Sequence, residues 1–326
     1  MSTFLIITLI IFMKVIIFLV FAIYQKITNA ICLSKKRLDG RTVLVTGGTA
    51  GMGLEAATDF AQRGARVIVA CPFEDEGKRA VRMIVQNSEN GNVVFKLLDL
   101  ASFTSVRKFA ADILENEDRL DVLVNNAGIV GPREGVSQDG LNIIMQVNYY
   151  GAFLLTLLLL PLLKKTGRPG EPCRIVNLLS MMRIFGRVEF NIKINFLQAY
   201  ANSKLNMEMF SRELTKRFQN PCDVVINNVD PGAAGTKIFL TGHRFVGYIP
   251  MLLFYVLFKT PWEAAQTTIY VAVDRRAGEV TGMLYMNCKQ IRGTKAAFND
   301  QLAKKLFDES VKIVKLSNKE LKQCLS

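Results

Sequence analysis

The chain begins with a long apolar run and then changes to a regular alternation of short apolar and amphipathic segments. The apolar run covers residues 4–24, and Lys14 is its one charged side chain. Sixteen of its 21 residues are Leu, Ile, Val or Phe. Together these favour membrane insertion by about 5 to 10 kcal/mol, against a cost of about 3 kcal/mol for a central lysine. Because a helix of this length spans about 30 Å of hydrocarbon, the run predicts a transmembrane helix.

The residues on either side of this run predict its orientation. Four lysine and arginine residues follow it before residue 38, whereas none precedes it. Positively charged flanks tend to stay in the cytosol. We therefore expect an uncleaved single-pass anchor over residues 1–37 and a cytosolic catalytic body over residues 38–326. The alternatives are a cleaved signal peptide or a buried core helix, and a lysine inside the run also suits a shallow or tilted insertion.

The next segments predict a strand, a helix and a second strand. Residues 42–48 are a β-branched run that ends in glycines, residues 54–64 have helical periodicity, and residues 66–70 are again β-branched. This alternation predicts an α/β fold, a single Rossmann-type doubly wound parallel sheet with helices on both faces and ligand sites at the carboxyl ends of the strands. Further apolar runs that fit it lie at residues 93–100, 121–128, 174–179, 224–232 and 283–286.

Composition excludes several kinds of chemistry. His243 is the one histidine, so a zinc site or a Ser-His-Asp triad would have to be built around it, and we expect no metal. The net charge is +13, but the 41 basic residues are interspersed with 28 acids, which argues against a nucleic-acid partner. The six cysteines are far apart and form no CxxC motif, as expected for free thiols in a reducing compartment.

A glycine-rich turn follows the first strand and opens the next helix. Its glycines are Gly47, Gly51 and Gly53. Glycine allows a tight turn and a close backbone approach, so the helix N-terminus can face a pyrophosphate. A turn of this kind is also found with a purely structural role, but its place between a strand and a helix favours a dinucleotide site.

The end of the second strand leaves the choice of dinucleotide open. Rossmann sites for NAD place an acid on the ribose about 20 residues after the turn, but residues 70–72 are Ala, Cys and Pro. Glu74 or Asp75 could serve NAD, whereas Lys78 or Arg79 could serve NADP. We expect NADP, with NAD as the alternative.

A phenol and an ammonium group share one face of a later predicted helix. Tyr200 and Lys204 are four residues apart, and the predicted fold brings Ser180, at the end of the preceding strand, close to both. A phenol ionises near pH 10, so proton exchange with an alcohol near neutrality needs a neighbouring cation that favours the phenolate. Lys204 could supply this charge.

At this point the chain resembles the short-chain dehydrogenase/reductase family across nearly the whole body. The matching motifs occur in the family's order. They are TGGTAGMG at 46–53, Asp99 in LDL, NNAG at 125–128, Asn148 in VNYYG, Ser180, YANSK at 200–204 and PGAAGT at 231–236.

The resemblance implies a role for each matching residue. It makes Tyr200 the general acid/base, Lys204 the holder of the nicotinamide ribose, Ser180 the group that orients the substrate oxygen, and Asn148 the support of a proton-relay water. Asp99 would face the adenine, Asn125 would belong to the cofactor-side loop, and Thr236 would contact the carboxamide or phosphate region. The implied cofactor-binding residues are Gly47, Thr49, Gly51, Met52, Gly53, Asp99, Leu100, Asn126, Ala127, Tyr200, Lys204, Pro231, Gly232 and Thr236.

Within that family, LDLASFTSVRKFA at 98–110 and GAFLLTLLLLPLL at 151–163 look like the membrane-bound retinol dehydrogenase group. TGGT at 46–49 and NNVDPG at 227–232 look closer to its X-linked dehydrogenase/reductase branch, which acts on polyprenols. This similarity implies a lipid alcohol, aldehyde or ketone as substrate, of the retinol/retinal or polyprenol/dolichal type. It also implies the endoplasmic reticulum membrane, or a lipid droplet, and a homodimer as an option. The alternatives are a non-catalytic NAD(P)-binding membrane scaffold and a reductase of steroids or other carbonyl compounds.

Some positions depart from the family pattern. Leu179 replaces a usual serine, Arg183 replaces a common His or Gly, and Gly235 replaces a bulkier or basic residue, while Pro72 stands where retinol dehydrogenases commonly carry Arg. The uncharged run at residues 245–258 follows the PG motif. We expect it to dip into the bilayer and admit an apolar substrate, with a buried helix as the alternative.

Overall fold

The computed structural model describes residues 3–131, 135–190, 194–218, 223–233 and 259–325. Thr236, His243, Cys222 and the apolar run 245–258 lie outside the described residues.

One eight-stranded sheet organises the described residues. Its strands are β1 (Thr42–Thr46), β2 (Arg66–Cys71), β3 (Val93–Leu97), β4 (Val122–Asn125), β5 (Cys173–Leu178), β6 (Val224–Val229), β7 (Leu284–Met286) and β8 (Lys289–Ile291). Their order is β3-β2-β1-β4-β5-β6-β7-β8. Only β8 runs antiparallel to its neighbour within this sheet, so the predicted parallel, doubly wound sheet is confirmed. Because the order reverses between β1 and β4, a crevice opens at the carboxyl ends of these two strands.

Helices cover both faces of the sheet, as predicted. The described helices of eight residues or more are α1 (Thr3–Ile27), α2 (Gly51–Gln62), α3 (Glu74–Ser88), α4 (Phe103–Asn116), α5 (Ile143–Thr166), α6 (Phe196–Arg217), α7 (Pro261–Val273), α8 (Asp300–Ile313) and α9 (Asn318–Leu325). The α2, α3 and α7 helices bury their apolar sides in one core, and α4, α5, α6 and α8 bury theirs in the other. The central strands β1, β2, β4, β5 and β6 are buried on both faces, which explains their almost continuous runs of apolar residues.

Helix α5 is an apolar core helix that contains an unusual turn. Among the described residues it is long and apolar enough to cross a bilayer, but most of it is buried inside the protein. Its second turn, Gln146–Tyr150, is π-helical. Such turns often occur at functional sites, because the extra residue turns a side chain toward a new direction.

Helix α1 covers the apolar run 4–24, and its crossing of a membrane stays a prediction. Several of its apolar side chains are exposed, among them Ile17 at 64% and Val20 at 62%. The segment 28–38 follows without regular structure and forms hydrogen bonds with residues of the catalytic body. Asn287 Nδ2 donates to Thr28 Oγ1 at 3.2 Å, and Arg63 Nη1 donates to the Ser34 carbonyl at 2.7 Å. We call residues 28–38 the strap.

The described cysteines carry free thiols, in agreement with the prediction from their spacing. They are Cys32, Cys71, Cys173, Cys288 and Cys324.

Candidate active site

The glycine-rich turn lies at the carboxyl end of β1 and is held by the neighbouring strand. Gly47 has φ +64°, which favours glycine. Asn126 Nδ2 donates to the carbonyl oxygens of Thr46 and Gly47 at 2.9 and 3.0 Å. A Cβ on Gly53 would lie 2.4 Å from both Asn126 Nδ2 and the Gly47 oxygen. The close approach of these backbones therefore requires glycine at position 53.

Helix α2 begins directly at this turn and has an open N-terminus. Its N-cap is Ala50, which provides no side-chain hydrogen bond to the first helical N–H groups. These groups line a crevice of about 540 Å³ and can bind an anion such as a pyrophosphate. The turn and the helix end thus fit a dinucleotide. The predicted residues that line the crevice are Gly47, Thr49, Gly51, Met52, Gly53, Asp99, Leu100, Asn126 and Ala127.

The far end of the crevice is formed by the last residue of β2, by the residues that follow it and by Glu76 of α3, which the sequence pattern did not indicate. Glu76 lines the crevice together with Cys71, Pro72 and Phe73. Glu74, one of the acids considered for NAD, instead forms an exposed ion pair with Lys78 at 2.6 Å. The sequence offers no signal for the position of Glu76, because this residue lies in the first turn of α3 and reaches the crevice only through the way α3 packs beside β2.

Ser180 and Tyr200 come together at the carboxyl end of β5. Ser180 follows this strand and caps the 3₁₀ turn Met181–Phe185 through Met182 N at 3.3 Å. Its hydroxyl hydrogen-bonds with the Tyr200 phenol, which lowers the pKa of that phenol, but burial outweighs this effect and raises the pKa of Tyr200 to about 12. Tyr200 is therefore a protonated phenol at neutral pH.

Lys204 lies one helical turn after Tyr200, as the spacing predicts. Its Nζ is 5.6 Å from the centre of the Tyr200 ring and donates to the Leu178 carbonyl at 2.9 Å. Burial lowers the pKa of Lys204 to about 8, and the charge of Asp230 partly opposes this decrease. The ammonium is therefore still largely protonated at neutral pH and lies beside the phenol.

Asn148 lies on the π-helical turn, and its side chain hydrogen-bonds both to a residue beside the crevice and to a residue of α6. Its Oδ1 accepts from Ile129 N at 2.8 Å, and its Nδ2 donates to the Ile129 carbonyl at 2.9 Å and to Ser203 Oγ at 3.2 Å. A Cβ on Gly128 would lie 3.5 Å from both Asn148 Oδ1 and Lys204 Nζ. Gly128 also lines the crevice, so Asn148 and Lys204 adjoin it at this point, and Tyr200 and Ser180 follow behind Lys204.

Other predicted residues lie elsewhere. Pro231 and Gly232 follow β6, where Gly232 N donates to Asp230 Oδ1 at 3.0 Å, and Thr236 lies outside the described residues. Asn125 is buried in the core and donates to Thr156 and Asn177, whereas its neighbour Asn126 reaches the glycine turn. In the described part of the chain, no cluster of side chains is suited to a metal ion.

The family description "short chain dehydrogenase" matches residues 41–242. The chain belongs to the short chain dehydrogenase family. Members of this family are NAD(P)-dependent oxidoreductases, and the glycine turn and crevice fit such a cofactor, so the chain is an NAD(P)-dependent oxidoreductase.

Curated relatives match almost the full length of the chain. Human "Retinol dehydrogenase 13" is 35% identical over 89% of this chain and 89% of its own. Mouse "Retinol dehydrogenase 11" is 36% identical over 90% of this chain and 92% of its own. Bovine "Dehydrogenase/reductase SDR family member 13" is 35% identical over 90% of this chain and 78% of its own.

Solved structures share the fold. A protein from Mycobacterium paratuberculosis is 25% identical with a TM-score of 0.69, covering 88% of this chain and 98% of its own. A short chain dehydrogenase from Shigella flexneri, solved in complex with NADP, is 26% identical with a TM-score of 0.61, covering 78% of this chain and 100% of its own.

Proposed function

We propose that this chain is a membrane-anchored oxidoreductase that transfers hydride between a nicotinamide cofactor and a lipid alcohol, aldehyde or ketone. The substrate would be of the retinol/retinal or polyprenol/dolichal type. The observation that carries the proposal is the contact of Ser180 with Tyr200 and of Tyr200 with Lys204, whose ammonium lies beside the crevice at Gly128.

In this proposal Tyr200 is the proton-transfer group. When bound, the nicotinamide supplies or accepts the hydride. The protonated Tyr200 donates to a carbonyl oxygen during reduction, and its phenolate accepts the hydroxyl proton during alcohol oxidation. Ser180 donates a hydrogen bond that orients the same substrate oxygen. Alcohol oxidation should therefore accelerate as the pH rises, because the pKa of Tyr200 lies well above neutrality.

Lys204 and Asn148 support this exchange in different ways. The Lys204 ammonium favours the phenolate electrostatically and is close enough to the crevice to hold the nicotinamide ribose. Asn148 holds Ile129 and Ser203, which fixes the crevice wall against α6. The geometry thus supports a positioning role for Asn148 in addition to the support of a relay water.

Apolar side chains near Ser180 and Tyr200 support a lipid substrate. Met181, Ile184, Phe185, Phe190 and Leu197 are 40–65% exposed. We call these five residues the apolar rim. Such a group of exposed apolar side chains marks a surface for an apolar ligand or a membrane. The names of the retinol dehydrogenase relatives favour a retinoid-type alcohol.

The contacts of the strap support an orientation of the protein on the membrane. Thr28, at the end of α1, contacts Asn287, which follows β7. Since β7 is parallel to the other main strands, Asn287 lies at the same edge of the sheet as Ser180. An anchored α1 would therefore bring the apolar rim toward the bilayer. We propose a single pass in the endoplasmic reticulum, or attachment to a lipid droplet, with the body over residues 38–326 in the cytosol.

The choice between NAD and NADP depends on the residues at the far end of the crevice. The absence of an acid directly after β2 predicts NADP. Glu76 favours NAD instead, because a 2′-phosphate would be repelled by the Glu76 carboxylate. In addition, no lysine or arginine is among the described residues that line the crevice.

The proposed second membrane contact, through residues 245–258, lies outside the described residues and stays a prediction from composition.

The decisive experiment for the function is Tyr200→Phe in the full-length protein in detergent. Loss of the hydroxyl should lower kcat at least about 100-fold, because general acid/base catalysis contributes this much, while cofactor affinity stays within about twofold. The readout is NAD(P)H absorbance with retinal, a polyprenal, dolichal and steroid ketones, each with both cofactors.

The control is Tyr270→Phe, which removes a hydroxyl from the opposite core and should leave turnover unchanged. Wild-type protein that binds cofactor but turns over no carbonyl compound would support the scaffold alternative. Turnover of steroids alone would contradict the proposed lipid substrates.

A further inference from the structure

A buried arginine connects the loop that carries Ser180 to two carboxylates that the mechanism above does not use. Arg183 is 5% exposed, and Glu208 and Asp230 are 2% and 1% exposed. Arg183 Nη1 donates to the Ser180 carbonyl at 3.0 Å and to Asp230 Oδ2. Its Nε lies 3.4 Å from Glu208 Oε2. Because a buried charge is costly without a partner, these three groups depend on one another.

Each carboxylate is fixed to a different part of the fold. Asp230 follows β6 and accepts from Gly232 N at 3.0 Å. Glu208 lies in α6, one turn after Lys204, and accepts from the backbone N and the Oγ1 of Thr294 at 2.9 and 3.0 Å. Arg183 therefore joins the Ser180 loop to the helix that carries Tyr200 and to the end of the next strand.

Asp230 also acts on the proton-transfer pair. Its negative charge raises the pKa of Tyr200 and of Lys204, and it raises the pKa of Lys259 as well. Besides Asp230, the groups that face Tyr200 are the Ser180 hydroxyl from the end of β5 and Lys204 from the same helix. The guanidinium of Arg183 partly balances Asp230, so the loss of Arg183 would make the phenolate harder to form.

We propose that Arg183 is a positioning residue for the Ser180–Tyr200 pair, which holds the Ser180 carbonyl in place and balances the charge of Asp230. The proposal rests on the proposed function, because it needs Tyr200 to be the group that transfers the proton. A simple packing role for Arg183 would require neither its contact with the Ser180 carbonyl nor its pairing with Asp230.

The test compares Arg183→Met, Asp230→Asn and the double variant in the full-length protein. The readout is the pH dependence of kcat/KM for oxidation of all-trans-retinol. Asp230→Asn removes a negative charge that opposes formation of the phenolate. The rising limb of the plot of kcat/KM against pH should therefore move to lower pH by about half a pH unit or more. Arg183→Met should move it to higher pH by a similar amount, and the double variant should return close to the wild-type profile.

Two further variants separate charge from geometry. Arg183→Lys keeps the charge but loses the planar guanidinium, so kcat should fall about tenfold while the limb stays in place. The matched control is Arg174→Met. Arg174 is equally buried, but it lies at the other end of β5 and donates to the carbonyls of Val271 and Asp274. Its loss should lower the unfolding temperature without moving the limb.

Thermal unfolding and a cofactor-binding titration without substrate accompany each profile, and the cofactor Kd should stay within about twofold. The proposal would be overturned if the pH profiles of Asp230→Asn and Arg183→Met were unshifted, or if both shifted in the same direction. If Arg183→Met does not fold, Asp230→Asn and Arg183→Lys decide in its place. Undiminished turnover in Tyr200→Phe would instead refute the proposed function itself.

Discussion

At the residue scale, the chemistry of the site depends on how burial changes a few ionisable groups. Burial raises the pKa of Tyr200 to about 12 and lowers the pKa of Lys204 to about 8. Both changes oppose the charged forms, as expected for groups removed from water. The hydrogen bond from Ser180 counteracts this effect at Tyr200, and the charge of Asp230 counteracts it at Lys204.

Glu76 gives a prediction about cofactor choice at the same scale. Glu76→Arg should increase the affinity for NADP relative to NAD by about tenfold or more, because it replaces a repelling carboxylate with a guanidinium that binds phosphate. Binding titrations with both cofactors measure the ratio. The control is Asp75→Asn, since Asp75 is an exposed neighbour that does not line the described crevice. An unchanged ratio in Glu76→Arg would show that the carboxylate does not face the ribose.

At the element scale, the junction of β1, the glycine turn and α2 is closely packed. Gly53→Ala would place a methyl group 2.4 Å from Asn126 Nδ2 and from the Gly47 carbonyl. We expect a loss of about 1 to 3 kcal/mol in the free energy of unfolding, together with weaker cofactor binding. Chemical denaturation and a cofactor titration measure the two effects.

The matched control for this junction is Gly91→Ala, where an added Cβ meets nothing within 4 Å and the free energy of unfolding should hardly change. Equal stability of both variants would mean that the turn can widen, and that the close contact between Gly53 and Asn126 is not required for the fold.

At the scale of the whole molecule, the strap divides the N-terminal region into two parts with different roles. Removal of residues 1–27 should release the protein from vesicles of endoplasmic-reticulum lipids without unfolding it, because the strap contacts remain. Removal of residues 1–37 should in addition lower the unfolding temperature, since it deletes the contacts of Cys32 with Gln266 and of Ser34 with Arg63. Vesicle flotation and thermal unfolding distinguish the two truncations.

Full membrane binding after removal of residues 1–27 would contradict the role of α1 as the main anchor and would point to a second contact such as residues 245–258.

The homodimer stays a prediction. Helices α8 and α9 pack on α6 and α5, so the surfaces beside Tyr200 and Asn148 are partly covered within the chain. Light scattering of the detergent-solubilised protein would measure its mass.

The sequence by itself determined the order of strands and helices, the glycine turn and the spacing of Tyr200 and Lys204. These features are local, because a strand, a turn or one helical face is encoded within a few consecutive residues. Only the tertiary structure showed that Glu76 reaches the crevice, that Arg183 joins Asp230 and Glu208 behind Ser180, and that Thr28 meets Asn287 across 259 positions. Contacts of this kind depend on how separate elements pack, so no local pattern of residues predicts them.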